Sequence, residues 1–167
     1  MQRNTKIALL VFFLLIVAAV PLYIFTRPDI SQPGTLQIKG DASTPLTLTV
    51  DQLDAYPSMT LQVTLTSSSR TEDNGVFNYT GMPLKDLLIQ AQANSNATSI
   101  FVQAQDGYGT TLTIDEAQSQ NTLIAYQKDG SSLTQLKDGG EGPLRLIIGD
   151  DQYAQRWVRG VASIEIS

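Results

Sequence analysis

The chain has 167 residues, of which 42% are hydrophobic, and it carries a formal net charge of −5 with neither cysteine nor histidine. The lack of both residue types excludes disulfides, thiol nucleophiles, Ser-His-Asp triads, and zinc or copper sites built from thiolate or imidazole ligands. Nucleic-acid binding is not expected either, because it depends on clustered lysine and arginine side chains.

The first feature along the chain is an apolar run at residues 7–25, nineteen positions without a charged side chain. About 20 apolar residues in a helix span the hydrocarbon core of a bilayer, so the run predicts a transmembrane anchor. Arg3 and Lys6 precede it, and only Arg27, followed by Asp29, comes directly after it. The positive-inside bias therefore predicts a cytoplasmic tail at residues 1–6 and export of the remainder.

A cleaved signal peptide is the alternative, and in that case the domain is secreted. The apolar region of a signal peptide usually spans about 7–15 residues and ends at small residues. Here the best small-residue site, Val17-Ala18-Ala19, is followed by six largely apolar residues at positions 20–25. We therefore favour a single-pass anchor in the cell membrane, a linker at residues 26–34 and an extracytoplasmic domain at residues 35–167.

The exported part is predicted to be a strand-rich α+β domain. Alternating apolar residues predict strands near residues 36–38, 46–50, 59–66, 100–104, 123–126, 144–148 and 164–166. Short helices are predicted at residues 51–56, from Pro83 to Ala91, and from Thr113, where Thr113 and Glu116 form a capping-box pattern. Residues 67–75 are predicted to be a loop and residues 128–130 a hairpin turn. The helices are too few for alternating βαβ winding.

Four motifs follow one another in this domain. They are Tyr79-Thr-Gly-Met-Pro-Leu-Lys-Asp-Leu-Leu88, Asp106-Gly-Tyr108 after Ala104, Leu123-Ile-Ala-Tyr126 with Asp129-Gly130 and Leu133, and Gly142-Pro-Leu-Arg-Leu-Ile-Ile148 with Arg156-Trp157-Val158 and Ile164-Glu-Ile166. In this order and spacing they resemble the oxidoreductase molybdopterin-binding domain of sulfite oxidase-like proteins, over residues 36–167. Each motif alone also has a structural interpretation, as a turn, a helix start or a buried strand.

The resemblance implies molybdopterin as a cofactor, although the residues by themselves establish none. Arg145 stands at the family's Pro-x-Arg position, and Arg156 stands where the family has a basic residue before tryptophan, suited to a phosphate. The candidate cofactor-binding residues are the aromatic, acidic and cationic side chains of the motifs: Tyr79, Asp106, Tyr108, Arg145, Arg156 and Trp157.

Two departures from the family occur at its most chemical positions. The family's cysteine ligand to molybdenum is expected after the strand that ends near Thr66, where this chain has Ser67, Ser68 and Ser69. The family's histidine before Gly-x-Pro-x-Arg falls in residues 138–141, which are Asp-Gly-Gly-Glu. A serine hydroxyl titrates far above neutral pH, so a metal would have to deprotonate it. We therefore predict no catalytic residue and no protein metal ligand.

Three functions follow from these observations, and we favour the first. It is a membrane-tethered, non-catalytic module that binds an anionic, planar small molecule or a membrane protein partner. The second is a molybdopterin-dependent oxidoreductase that passes electrons to a membrane partner, with serine or no protein ligand on the metal. The third is a cell-envelope adhesion or assembly module, with Asn78 and Asn96 as candidate glycosylation sites.

Overall fold

A computed structural model of the protein describes residues 34–167 together with Phe13. The predicted cytoplasmic tail, the predicted anchor at residues 7–25 apart from Phe13, and all but the last linker residue lie outside this part. Among the described residues, no helix has the length and apolar character needed to cross a bilayer. The membrane anchor therefore stays a prediction from the sequence.

The described part is an α+β domain rich in strands, as the sequence predicts. The strands are β1 (Thr35–Gly40), β2 (Leu46–Thr49), β3 (Met59–Leu65), β4 (Gly75–Pro83), β5 (Ser99–Ala104), β6 (Gly109–Thr113), β7 (Thr122–Lys128), β8 (Ser131–Ser132), β9 (Arg145–Ile148) and β10 (Val161–Ile166). The α-helices are α1 (Val50–Asp54), α2 (Leu84–Gln90) and α3 (Ile114–Gln118), and 3-10 turns lie at Thr71–Asp73, Leu136–Asp138 and Ala154–Arg156.

The strands form one mixed sheet and one antiparallel sheet. The first has the order β2-β1-β10-β5-β6, in which β1 and β10 are parallel and the other neighbours are antiparallel. The second has the order β3-β4-β7-β8, and β9 also pairs with β7. Apolar residues of both sheets and of α2 belong to one buried core, which places the ends of strands from different sheets near one another.

Local sequence signals account for several elements. In α2, Leu84, Leu87 and Leu88 are buried, as their helical spacing predicts. The Thr113 hydroxyl accepts a hydrogen bond from the Glu116 backbone N–H, and the Thr113 backbone N–H donates to the Glu116 carboxylate. The predicted capping box is therefore confirmed. At the predicted hairpin, residues 129 and 130 both have positive φ, at 49° and 77°.

Strand β4 is the element that the sequence patterns do not predict. It contains Gly75, Gly81 and Pro83, which are poor strand formers, yet it pairs with β3 on one side and β7 on the other. Pairing on both sides outweighs local propensity here. Two smaller differences from the predicted pattern occur. Val50 begins α1 and does not extend β2. In β9, buried and exposed residues do not alternate, because all four residues are buried.

Replacing Gly81 by alanine is expected to lower the free energy of unfolding by about 1–3 kcal/mol or more. Gly81 lies at a register shift between β4 and β7, and a Cβ there would meet the Ile124 carbonyl oxygen and the Ala125 Cα. Urea denaturation measures the loss. The matched control is Gly75→Ala in the same strand, where the obstacle is the rotatable Phe77 ring. Equal losses in both variants would contradict this explanation.

Candidate functional site

A cavity of about 420 Å³ lies where β3 and β5 end and β9 begins. Its volume falls within the roughly 300–1,000 Å³ of small-molecule sites. The wall combines hydroxyl, aromatic, cationic and acidic side chains with a few apolar ones: Leu65, Ser67, Ser69, Arg70, Asp73, Asp106, Tyr108, Leu136, Glu141, Arg145, Ala154, Gln155, Trp157 and Arg159. Five separate segments of the chain therefore meet at this cavity.

The loop after β3 brings serine hydroxyls and a cation to the wall. The Ser67 backbone N–H donates to Asn74 Oδ1 at 2.6 Å, and the Ser67 hydroxyl accepts from the Arg70 backbone N–H at 3.1 Å. The hydroxyls of Ser67 and Ser69 are 3.3 Å apart and share a hydrogen bond. These bonds hold the loop so that Ser67, Ser69 and Arg70 line the cavity, while Ser68 does not.

The turn after β5 supplies the Tyr108 side of the cavity. Asp106 Oδ1 accepts from the Tyr108 backbone N–H at 3.0 Å, which fixes the turn at Gly107. The Tyr108 hydroxyl then donates to the Gln155 carbonyl oxygen at 2.5 Å. This bond joins the turn to the Ala154–Arg156 segment, so the two opposite parts of the wall are connected.

The segment that follows the 3-10 turn at Ala154–Arg156 runs against the start of β9. The Leu146 N–H donates to the Val158 carbonyl at 2.8 Å, and Arg145 and Arg159 form an antiparallel bridge. Trp157 is buried, and its Nε1–H donates to the Ile148 carbonyl at 2.9 Å. Alternation along this segment places Trp157 and Arg159 on the same side, where both line the cavity next to Arg145.

A buried polar network extends from the cavity wall, where Glu141 and Arg145 lie, to Tyr79 and Lys128 behind it. Glu141 forms ion pairs with Arg145 and with Lys128, the latter at 3.1 Å. The Tyr79 hydroxyl donates to Glu141 Oε2 at 2.8 Å and accepts from Arg145 Nη1 at 2.9 Å. The Tyr79 ring stacks edge-on against Trp157, with ring centroids 6.4 Å apart. Tyr79 thus contributes to the site by holding Arg145 and Glu141, and it does not line the cavity itself.

The environment shifts the proton affinities of this network. Burial raises the pKa of the Tyr79 hydroxyl far above its usual value, so the hydroxyl stays protonated. Burial also acts to raise the pKa of Glu141, but Arg145, Tyr79 and Lys128 outweigh it, and the pKa lies below its usual value. Glu141 is therefore a carboxylate at neutral pH.

The free energy of unfolding is expected to fall when the pH drops below about 4.5. Three carboxyls have pKa values lowered in the folded state: Glu116, Glu141 and Asp150. A lowered folded-state pKa stabilises the protein above the unfolded-state pKa, and the stabilisation is lost as pH falls through the folded-state value. Urea midpoints from about pH 8 to pH 3 measure this. A midpoint that is constant down to pH 3 would contradict the assignment.

Two arginines of the wall carry charge that no carboxylate among residues 34–167 neutralises. Arg70 and Arg159 form no ion pair with any acidic residue within residues 34–167, whereas Arg145 is paired with Glu141. The Arg145 Nε–H is buried and has no hydrogen-bond acceptor among the described residues. An anionic group in the cavity would find unpaired positive charge at Arg70 and Arg159.

Arg156, the predicted phosphate-binding residue, does not line the cavity. Its guanidinium donates to Asp151 at 2.5 and 3.0 Å and pairs with Glu116 at 2.9 Å. The hydrogen bonds that Arg156 donates to Asp151 and Glu116 raise its pKa further above its usual value. Arg156 therefore links the turn after β9 to helix α3. Arg159, two residues after Trp157, is the arginine of this segment that lines the cavity.

Replacing Arg156 by glutamine is expected to lower the free energy of unfolding by about 1 kcal/mol, because its two ion pairs are partly exposed and screened. The same change should leave anion affinity within about twofold of the wild type, since a charge outside the cavity acts through solvent. Thermal melting and a phosphate titration measure the two effects. Loss of phosphate binding with unchanged stability would show that Arg156 takes part in binding the anion.

The structure also locates the remaining predicted residues. Ser67, Ser69, Asp106, Tyr108, Arg145 and Trp157 share the cavity wall. Of the two glycosylation candidates, Asn78 lies within the paired strand β4 with its side chain bonded to Asp129, and Asn96 is exposed in the turn before β5. The sequence motifs did not predict Arg70 or Arg159 as site residues. Each arginine nevertheless follows a motif directly: Arg70 follows the serines at residues 67–69, and Arg159 follows the motif at residues 156–158.

The cavity offers oxygen and nitrogen donors and no soft metal ligand. No group of three or more acidic side chains close enough to hold a metal ion occurs in the described part of the chain. The acidic wall residues Asp73 and Asp106 are separate from the Glu141 network, and the serines are hydrogen-bonded to each other. The chemistry that this wall supports is recognition of an anionic, partly aromatic molecule.

Comparison with known proteins agrees with the fold. The sulfane dehydrogenase SoxCD from Paracoccus pantotrophus is a similar solved structure, with a TM-score of 0.68 and 20% identity. The match covers 79% of this chain and 37% of that chain, so this chain spans little more than a third of the solved protein. At this identity the likeness shows the fold alone. No curated protein sequence matches the chain.

The family model for the oxidoreductase molybdopterin binding domain matches residues 26–167, most of the chain. The predicted resemblance, over residues 36–167, is therefore confirmed. The chain belongs to the oxidoreductase molybdopterin binding domain family.

Proposed function

We propose that this protein is a membrane-tethered module that binds a small anionic, planar molecule and lacks the metal centre of its family. The observation that carries the proposal is the cavity wall, which combines serine hydroxyls and a buried tryptophan with two arginines that have no ion-pair partner in the described part of the chain. Residues beyond position 27 include eight basic and 16 acidic side chains, a net charge of −8. Anion binding in such a domain depends on local positive charge. The three arginines of the wall are equal in number to its three carboxylates, Asp73, Asp106 and Glu141, so the positive charge offered to an anion is the local charge at Arg70 and Arg159.

Arg70 and Arg159 are the groups that bind the anion in this proposal. Arg70 is exposed and Arg159 is half-buried, so both lie toward the mouth, while Trp157 and Arg145 lie deep. Guanidinium groups bind phosphate through charge-assisted, bidentate hydrogen bonds, and Ser67 and Ser69 add hydroxyl donors. Trp157 and Tyr108 provide aromatic surface for the planar part of the ligand.

The side chains of the cavity wall support binding of the organic part of molybdopterin in this proposal, and they offer its metal no soft ligand. The unpaired arginines and the serine hydroxyls suit a phosphate group, and the aromatic residues suit a fused ring. A cysteine thiolate ligand from this chain to the metal is excluded, because the sequence has no cysteine. In this proposal the protein therefore binds a molybdopterin-like or other phosphate-bearing ring compound without catalysing metal-dependent oxidation.

The membrane location in this proposal follows from residues 7–25 and the charges that flank them. The tether would hold the domain on the extracytoplasmic side, where it could present its ligand to a membrane protein partner. Protease added to intact cells should remove the domain if this orientation is correct. Protection of the domain in intact cells, with cleavage after lysis, would place it in the cytoplasm.

Binding is tested by thermal melting and fluorescence of the full-length chain in detergent. The sequence has a single tryptophan, Trp157, and this residue lines the cavity, so its emission reports on ligand binding there. Inorganic phosphate and a pterin monophosphate are the probes. We expect both to raise the melting temperature and change Trp157 emission, with the pterin monophosphate binding more tightly. No response to either probe would overturn the proposal.

The oxidoreductase remains a second candidate, because Ser67 and Ser69 lie in the cavity wall, in the loop where the family has its cysteine. A metal bound to serine would distinguish the oxidoreductase from the binding module. Elemental analysis of the full-length chain purified from its own host decides between the two functions. Molybdenum or tungsten at one atom per chain supports the oxidoreductase, and their absence supports the binding module.

A further inference from the structure

We infer that Glu141 sets the anion affinity of the cavity by neutralising Arg145, so that the ligand's anionic group is left to Arg70 and Arg159. The inference rests on the proposed function and adds a residue that opposes ligand binding. Three arginines line the cavity, and Arg145 is the one among them that is paired with a carboxylate in the described part of the chain.

Glu141 lies between two cations, at a position where solvent screens their charges only weakly. Its Oε2 pairs with Arg145 and accepts from the Tyr79 hydroxyl, and its Oε1 pairs with Lys128 at 3.1 Å. The side chains of Arg145 and Glu141 are only 5% and 18% exposed. Because both side chains are largely buried, solvent screens their charges only weakly. The two charges are opposite and adjacent, so an anion that enters the cavity interacts with Arg145 and Glu141 as a nearly neutral pair.

Arg145 nevertheless has hydrogen-bonding capacity that this pair does not use. A guanidinium group has five N–H donors, and the buried Arg145 Nε–H has no acceptor within residues 34–167. If residue 141 carried no negative charge, Arg145 would be a full cation in the cavity wall with a donor to spare. Loss of the Glu141 charge should therefore strengthen anion binding, whereas loss of an ordinary binding residue weakens it.

The test compares the wild type with Glu141→Gln by titrating inorganic phosphate against Trp157 fluorescence at constant ionic strength. We expect the dissociation constant of the variant to be about tenfold lower, the effect of one added charge a few ångströms from the anion. The matched control is Glu72→Gln, because Glu72 is exposed in the neighbouring loop and outside the cavity wall. The control should change the affinity by less than about twofold.

The outcomes separate this inference from the proposed function. If the wild type binds phosphate and Glu141→Gln binds no more tightly, the inference is wrong and the proposed function stands. If only the variant binds, Glu141 blocks the site and the proposed function is wrong for the wild type. If neither binds, both are wrong.

A second variant decides the matter if Glu141→Gln does not fold even with phosphate present. Lys128→Met leaves Glu141 paired with Arg145 alone, and Lys128 does not line the cavity. Because the negative charge of Glu141 is then less compensated, phosphate should bind about threefold more weakly. An unchanged dissociation constant would show that the charge of Glu141 is not felt in the cavity, which overturns the inference.

Discussion

Replacing Arg145 by methionine is expected to lower the free energy of unfolding by about 3–5 kcal/mol, the cost of breaking a buried ion pair by removing one partner. Methionine keeps much of the side-chain length but removes the ion pair with Glu141 and the hydrogen bond to the Tyr79 hydroxyl. Glu141 retains Lys128 at 3.1 Å, which places the loss toward the lower end of this range. Urea denaturation at neutral pH measures the change.

The double variant Arg145→Met with Glu141→Gln is the control for this loss. Removing one partner of a buried ion pair leaves an uncompensated buried charge, and replacing both partners avoids that cost. We therefore expect the double variant to be more stable than Arg145→Met alone, with a coupling free energy of about 1–3 kcal/mol. Additive losses in the two single variants would show that the network is not a unit.

Replacing both Arg70 and Arg159 by glutamine is expected to weaken phosphate binding at least about tenfold, because each hydrogen bond to a charged group contributes roughly 1.5–3 kcal/mol. These two arginines are the cations of the wall that no carboxylate of the described residues neutralises. The free energy of unfolding should change little, since neither side chain forms an ion pair with another described residue. Trp157 fluorescence measures the affinity and urea denaturation the stability.

The matched control removes two positive charges elsewhere in the domain. Lys39, which pairs with Glu165 at 3.7 Å, and Lys85 on α2 both lie outside the cavity wall. The double variant Lys39→Gln with Lys85→Gln has the same net charge as the arginine variant. We expect its phosphate affinity to stay within about twofold of the wild type, because distant charges are screened by salt. Equal weakening in both double variants would indicate general electrostatics and no defined site.

The sequence was sufficient for the parts of the fold that depend on local patterns. Alternation marked β1, β3 and β5, the i, i+3, i+4 spacing marked α2, and the Thr113 and Glu116 pair marked the start of α3. Strand β4 could not be predicted, because Gly81 and Pro83 oppose a strand locally and the pairing with β3 and β7 is set by distant residues. Local propensity and tertiary pairing conflict there, and pairing prevails.

The candidate site was predictable in part for the same reason. Motif residues such as Asp106 and Trp157 were found because they lie in recognisable stretches, and the structure brings them to one cavity. The role of Arg156 could not be read from the sequence, because its partners Asp151 and Glu116 are fixed only by the packing of α3 against the turn after β9. Arg159 does line the cavity, and spacing alone does not distinguish two arginines three positions apart.

The most direct test of this account is native mass spectrometry of the full-length chain purified from the membranes of its own host. It measures in one experiment whether an organic ligand, a metal or both accompany the chain. We predict a chain with an anionic organic ligand and without molybdenum or tungsten, because two arginines of the cavity have no carboxylate partner in residues 34–167 and the sequence has no cysteine. A chain that carries one molybdenum or tungsten atom would contradict it.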